Sequence, residues 1–276
     1  VMYFFLKAFS LYLRNAPTFA YKITYKIIYS LLFHVLKMRK RVVLKNIQWA
    51  FPEKDAKWHN QVMKKSYKFY TKEFLEFIAY PKFYDIKKIK FKDVNLILKS
   101  LSGNGAILVS SHFGSFDKLF FALNSLGIDL TGVAYKQNSS GSDLFFKRIR
   151  GKFMRNQLYK GGDSKLLTKA LKNNNVLILL SDQDAKKKGV NTKFFNIDSS
   201  THSGAAILAK RKKIPLIYAD IIENSGYYIA SFTKIDINQD IGSIVQQYTQ
   251  KIESTIRKKP EQYFWFHKRW KSVRTY

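Results

Sequence analysis

His112-Phe113-Gly114-Ser115-Phe116-Asp117 sets an imidazole and a carboxylate five residues apart, directly after the apolar run Ala106-Ile107-Leu108-Val109. On one continuous helix, five residues would rotate the two side chains roughly 140° apart. The spacing therefore predicts that His112 precedes a helix and that Asp117 lies in its first turn, where the two can meet. A carboxylate bonded to one ring nitrogen fixes the tautomer and raises the basicity of the other, which can then take a proton from a hydroxyl group. A loop histidine satisfied by a neighbouring acid is the plainer alternative, and the His-x4-Asp spacing alone does not separate the two.

The elements that must position these groups follow from periodicity. Apolar runs at Ala106 to Val109, Leu130 to Ala134, Val176 to Leu180 and Pro215 to Ile222 alternate with helix-like stretches at Phe116 to Leu126, Ser142 to Met154, Lys165 to Leu171 and Gly204 to Lys210. Tyr227 to Thr233 reads as a further strand and Gly242 to Arg257 as a closing helix. Such alternation predicts an α/β fold with a mostly parallel central sheet flanked by helices on both faces. Ligands of such sheets bind beyond the carboxyl ends of strands. His112 lies there, and so does Ser181-Asp182-Gln183-Asp184 after Val176 to Leu180, so the two segments can share one crevice. Gly103-Asn104-Gly105 precedes its strand and reads as a turn rather than a phosphate loop. Neither a Walker motif nor a dinucleotide fingerprint is present.

Upstream, Arg41 to Phe51 and Asp55 to Ile78 read as helices separated at Pro52. They form a platform between an N-terminal segment, residues 1–40, and the α/β domain, residues 41–276. From Met2 to Leu36 the chain is rich in Phe, Tyr, Leu and Ile, but Lys7, Arg14, Lys22 and Lys26 leave no stretch of about twenty residues free of charge. Phe19, Tyr21, Ile23, Ile27, Ile28, Leu31, Leu32 and Val35 suit an amphipathic helix at a membrane surface or a weakly apolar span. Lys37, Arg39, Lys40 and Arg41 follow as a basic cluster of the kind that meets anionic head groups on the cytoplasmic side. An ordinary core helix is the alternative.

Charge points to anionic partners. Lys and Arg number 49 against 19 Asp and Glu, a formal net charge of +30, so nucleic acid, acidic phospholipid and an acidic carrier protein all qualify. With no cysteine there is no disulfide framework, thiolate metal site or cysteine nucleophile. The five histidines lack zinc-site spacing, so no metal is expected. Tyr263-Phe264-Trp265-Phe266-His267-Lys268-Arg269-Trp270 interleaves aromatic and basic residues and offers the best case for single-stranded nucleic acid. That reading leaves the amphipathic N-terminus and the His-Asp block unexplained.

Four blocks in order carry a family resemblance over about Arg41 to the C-terminus. They are Arg41-Val42-Val43-Leu44-Lys45-Asn46-Ile47-Gln48-Trp49-Ala50-Phe51-Pro52-Glu53; Ser111-His112-Phe113-Gly114-Ser115-Phe116-Asp117; Ser181-Asp182-Gln183-Asp184 with Gly189-Val190, Lys193-Phe194-Phe195 and Ser200 to Ala206; and Pro260-Glu261-Gln262-Tyr263-Phe264-Trp265-Phe266-His267-Lys268-Arg269-Trp270-Lys271. The chain resembles the late acyltransferases of lipid A biosynthesis, the lauroyl and myristoyl transferases within the H-x4-D/E glycerolipid acyltransferase group. It departs at Asp117, where that subfamily usually has Glu, and at Asn196, where Gly follows the Phe pair.

The resemblance implies transfer of a fatty acyl group from an acyl carrier protein thioester to a hydroxyl of a Kdo-lipid A precursor, at the cytoplasmic face of the bacterial inner membrane. No cofactor is expected beyond the acyl donor. His112 would be the general base and Asp117 its orienting acid, with no acyl-enzyme. Backbone N–H groups of the helix start after Phe113-Gly114 would contribute to oxyanion stabilisation. Arg155 is either a phosphate or oxyanion ligand or one more cation on a solvated helix. Asp182 and Asp184 are candidates for substrate binding, with Asp184 favoured. Lys186 to Lys188 and Lys210 to Lys213 would meet lipid phosphates or the carrier protein. Phe113, Phe116, Phe120 and Phe121 either line an acyl groove or fill the core. The alternative within the same chemistry is a lysophospholipid or glycolipid acyltransferase using acyl-CoA.

Overall fold

Strand β2 (Ala106–Ser110) is buried at all five positions, as an apolar run without alternation requires of a strand covered on both faces. Ala106 and Leu108 pack on one side with Leu119, Phe120 and Leu123 of a helix, α6 (Phe116–Ser125), whereas Ile107 and Val109 pack on the other with Ala205, Ala206 and Ala209 of α9 (Gly204–Lys212). This computed structural model describes all residues except Ser102, Asn104, Gly162, Asp163 and Asn173, and all described side chains except Ser164 and Lys172. The expected turn at Gly103-Asn104-Gly105 therefore falls partly outside the described residues.

The other elements are α1 (Met2–Asn15), α2 (Thr18–Ser30), α3 (Lys40–Ala50), α4 (Ala56–Ile78), β1 (Ile89–Lys92), α5 (Asn95–Ser100), β3 (Leu130–Ala134), α7 (Ser140–Arg150), β4 (Asn156–Tyr159), α8 (Ser164–Lys172), β5 (Val176–Leu180), β6 (Val190–Phe194), β7 (Ile197–Thr201), β8 (Leu216–Asn224), β9 (Tyr227–Ile235) and α10 (Ile241–Lys258). The sheet order is β1-β9-β8-β2-β5-β3-β4, parallel at every pairing except β8 with β9. The predicted α/β sheet with helices on both faces is thus the observed one. Two short edge strands, β1 and β4, escape a periodicity argument because each has only four residues. The β6–β7 hairpin was likewise not anticipated. Its turn residues, Phe195 and Asn196, both have positive φ, 52° and 59°. Asn is one of the few residues at ease in that region, which accounts for its standing where glycine was expected.

Asp55 caps α4, accepting from the Trp58 amide at 2.7 Å. Helix α4 is the platform: Tyr67 and Met63 join the core on the sheet face that carries Ile107 and Val109, while Leu75 and Ile78 pack with Leu13 of α1 and Phe145 of α7. Lys82 closes α1 by donating to the carbonyls of Leu13, at 3.2 Å, and Ala16, at 2.6 Å. Helices α1 and α2 each pack on α4 and are bridged by the Tyr12 and Thr24 hydroxyls at 2.7 Å, α2 continues into a π-helical turn at Leu31–Val35, and no helix among the described residues is long and apolar enough to cross a membrane.

Candidate active site

Register places the site. Strands β2 and β5 pair in parallel with Ser110 opposite Leu180, so two residues further on His112 and Asp182 emerge side by side. The ring Nδ1–H donates to Asp182 Oδ1 at 2.8 Å. The Asp182 side chain is fully buried and that of His112 is 24% exposed, so the imidazole alone of the pair opens toward solvent. Burial disfavours both charges, yet their mutual attraction outweighs it: His112 is raised above 6.5 and Asp182 is held well below the usual carboxylate range.

This pairing corrects an expectation. The ring was expected to be held by Asp117, but its hydrogen bond goes to Asp182, because both residues extend from adjacent strand ends while Asp117 has already entered α6. Asp117 remains within electrostatic reach of His112. Burial pushes its carboxyl up to about 6, with Glu73 adding to the rise and Arg150, Lys118 and His112 opposing it. The arginine whose charge reaches Asp117 is thus Arg150, at the end of α7, where its guanidinium lies 5.8 Å from the Phe146 ring centre.

Arg155 is not brought to the site. It precedes β4, at the amino ends of the parallel strands, where it is exposed and ion-paired to Asp129. Asp184, favoured over Asp182 from sequence, is otherwise occupied: its oxygens accept from the Lys186 amide at 2.7 Å and from the Ser272 hydroxyl and amide at 2.7 and 3.1 Å, tying down the C-terminal segment. Among the described residues there is no cluster of three or more His, Asp or Glu side chains fit to hold a metal.

The His112 backbone is fixed from three directions. Its carbonyl accepts from the Phe264 amide and the Tyr70 hydroxyl, both at 2.9 Å, and the next strand bridge joins Phe113 to Tyr263. Gly114 has φ +60°, and a Cβ there would come within 1.8 Å of the Ile221 carbonyl oxygen. Replacing Gly114 with alanine is therefore expected to prevent folding or displace the His112 turn, read as loss of soluble protein or a large fall in melting temperature. The Gly114 amide donates to Gln262 at 2.7 Å, which removes it from the donors expected for an oxyanion and leaves the first amides of α6.

Phe116, one of the phenylalanines expected in an acyl groove or the core, and two residues of the C-terminal aromatic and basic run complete the wall. Phe116 stands edge-on to His112 at 5.5 Å and the Phe264 ring lies 6.1 Å away. His267 is 6.5 Å away, and its pKa is lowered to about 4, chiefly by burial, with His112 and Arg269 adding to the effect, so it stays neutral beside the pair. The C-terminal aromatic and basic run held the signal, but its alternation suggested stacking on bases. Instead Tyr263, Trp265 and Trp270 are buried in the core, and Arg269 donates to the Ser200 carbonyl at 2.9 Å and the Thr201 hydroxyl at 2.8 Å. None of these groups is available for stacking on a nucleic acid. Phe113 and Phe120 also fill the core.

Asn46 of α3 holds the same run in place, donating to the carbonyls of Trp265 at 2.7 Å and His267 at 2.8 Å. Of the basic cluster at 37–41, Arg39 is committed to the Phe266 carbonyl at 2.9 Å and Lys40 lies over Phe33 at 4.2 Å.

A profile of the family described as bacterial lipid A biosynthesis acyltransferase matches residues 1–272. Among curated relatives, the lipid A biosynthesis palmitoleoyltransferase of Escherichia coli (strain K12) is 22% identical over 248 residues, covering 86% of this chain and 80% of that protein. A lipid A biosynthesis acyltransferase of Haemophilus influenzae is 25% identical over 184 residues, covering 63% of this chain and 58% of that protein.

Proposed function

The chain belongs to the bacterial lipid A biosynthesis acyltransferase family, and from that premise we propose that it moves a fatty acyl group from an acyl carrier protein thioester to a hydroxyl of a Kdo-lipid A precursor. The observation that carries the mechanism is the 2.8 Å bond between His112 and the buried Asp182. With Nδ1–H directed at Asp182, the Nε2 lone pair is free to take the acceptor's proton. The acceptor oxygen then attacks the thioester carbonyl, the tetrahedral intermediate collapses, and the departing thiolate recovers the proton from the imidazolium. No covalent enzyme intermediate is needed. Asp117 and Arg150 would bind polar groups of the substrates next to the ring, and the amide ends of α6 would favour the developing oxyanion.

The donor assignment is supported by charge. Lys186, Lys187 and Lys188 are exposed just beyond Asp184, on the side of the sheet where His112 emerges, and suit an acidic carrier protein. The placement at the cytoplasmic face of the inner membrane is supported by the outer stripe of α2 and its continuation: Phe19, Ile23, Ile27, Leu31 and Val35 recur every four residues and all are exposed. In a helix that spacing forms one apolar face, the mark of a segment lying in an interface rather than crossing it.

Purified protein in detergent should transfer acyl groups from acyl carrier protein thioesters to a Kdo-lipid A precursor, detected as a product heavier by one acyl chain. Transfer only from acyl-CoA to a lysophospholipid would replace both the donor and the acceptor of this reading while leaving the family unchanged.

A further inference from the structure

Helix α1 crosses the start of α7 at Gly141, where a Cβ would meet the Tyr3 backbone nitrogen at 2.8 Å. Beyond the crossing the two helices enclose a groove of about 360 Å³, inside the range of about 300–1,000 Å³ typical of small-ligand pockets. Its apolar lining includes Leu11 of α1, Tyr80, and Phe145 and Ile149 of α7. Four cations surround this lining, Lys7 and Arg14 from one side and Arg148 and Lys152 from the other, and no carboxylate lines the groove. Arg148 is bonded to the Tyr3 hydroxyl, and none of the four has an ion-pair partner among the described residues. Four unneutralised cations around an apolar cleft are costly in mutual repulsion unless an anion joins them.

The groove is not part of the candidate active site. Phe145 and Ile149 lie on one face of α7, whereas Arg150, the residue whose charge reaches Asp117, is rotated about 100° from Ile149 and lies by Phe77 and Phe146. The groove does adjoin the exposed apolar residues of α1: Phe4 and Leu11 line it and are 70% and 59% exposed.

We propose that the α1–α7 groove binds one anionic phospholipid of the bilayer, its phosphate among Arg14, Arg148 and Lys152 and an acyl chain along Leu11, Phe145 and Ile149. The source of this ligand rests on the reading that α2 and its continuation lie in a membrane interface. Occupancy would offset part of the rim's positive charge and join α1 to α7, fixing the depth and orientation at which the protein sits on the bilayer.

The test titrates the full chain with dihexanoyl phosphatidylglycerol or dihexanoyl phosphatidylcholine as monomers, below micelle formation, by native mass spectrometry. The anionic lipid should bind at least tenfold more tightly than the zwitterionic one. Arg14→Gln with Lys152→Gln should remove that preference, and Ala8→Trp, at an exposed position on the groove wall, should weaken both lipids at least tenfold. Equal binding of the two lipids by the unaltered protein, or variants that bind as it does, would overturn the site. Cosedimentation with phosphatidylglycerol vesicles reads the interfacial face separately: vesicle binding without monomer binding removes the groove alone, and monomer binding without vesicle binding removes the bilayer as its source.

Discussion

Substituting His112 with glutamine is expected to lower kcat for acyl transfer by about 10²–10⁴-fold, the range a positioned general base contributes, with no loss of folded protein. The ring is partly exposed at the end of a strand whose backbone, not whose side chain, holds the turn together. Asp182→Asn tests the pairing that the structure substitutes for the expected one. Loss of the carboxylate removes the main influence raising the His112 pKa, so the rate should fall and the acid limb of the kcat/KM profile should move to lower pH. In the unaltered enzyme the base must be neutral, and kcat/KM should therefore rise with pH through a value above 6.5. Asp117→Asn should also lower the rate, but without an equal shift of that limb, since Asp117 is the lesser influence on the ring. An acid limb that moves more with Asp117→Asn than with Asp182→Asn would reverse the assignment.

The same substitution has an opposite effect on stability. A carboxyl raised to about 6 binds a proton more tightly in the folded than in the unfolded chain. Its ionisation therefore weakens the fold as pH rises from the ordinary carboxylate value through about 6. Asp117→Asn should accordingly raise the melting temperature at pH 8 more than at pH 4. A group that costs stability where the enzyme works is one that packing alone would not retain.

How far the sequence could carry this reading depended on distance along the chain. Strands β3 and β5 were legible to the residue because buried parallel strands are short apolar runs with polar ends. The turn at His112 was legible for the same reason: a strand end, a glycine and a helix start lie within a few residues. The partner of His112 was not, since Asp182 is seventy positions away and only the pairing of β2 with β5 makes them neighbours. Proximity in sequence favoured Asp117, and proximity in the sheet decided for Asp182. Arg155 and Asp184 were misplaced by the same limit. Residue type marked them as able to bind an anion or a sugar, but the end of the sheet on which Arg155 lies and the Ser272 contacts that occupy Asp184 are tertiary facts.

Lys118 was equally hidden from the sequence, because its partners lie on another helix. Among 49 basic residues, one in the first turn of a helix reads as solvated. It is 2% exposed, and its ammonium lies 2.6 Å from Glu76 and 3.0 Å from Glu73 of α4. Burial opposes its charge, but the two carboxylates hold its pKa well above the ordinary value. Burial and Glu73 in turn raise Glu76, so two acids share one buried cation, with Lys72 3.9 Å from Glu76 at the margin. Lys118→Met would leave both carboxylates without that cation and should cost about 3–5 kcal/mol, as breaking a buried pair does. For a chain of this size that corresponds to a fall of roughly 10 °C in melting temperature. Lys118→Met combined with Glu73→Gln and Glu76→Gln should recover most of the loss, because the stranded charges are gone. The cluster also fixes α6 against α4 immediately beside Asp117, whose pKa Lys118 lowers and Glu73 raises. The single variant should therefore push Asp117 further toward its protonated form, while the triple variant, which removes both influences, should leave it nearer its present value. Equal melting temperatures for the single and triple variants would mean that Lys118 contributes packing rather than charge at this junction.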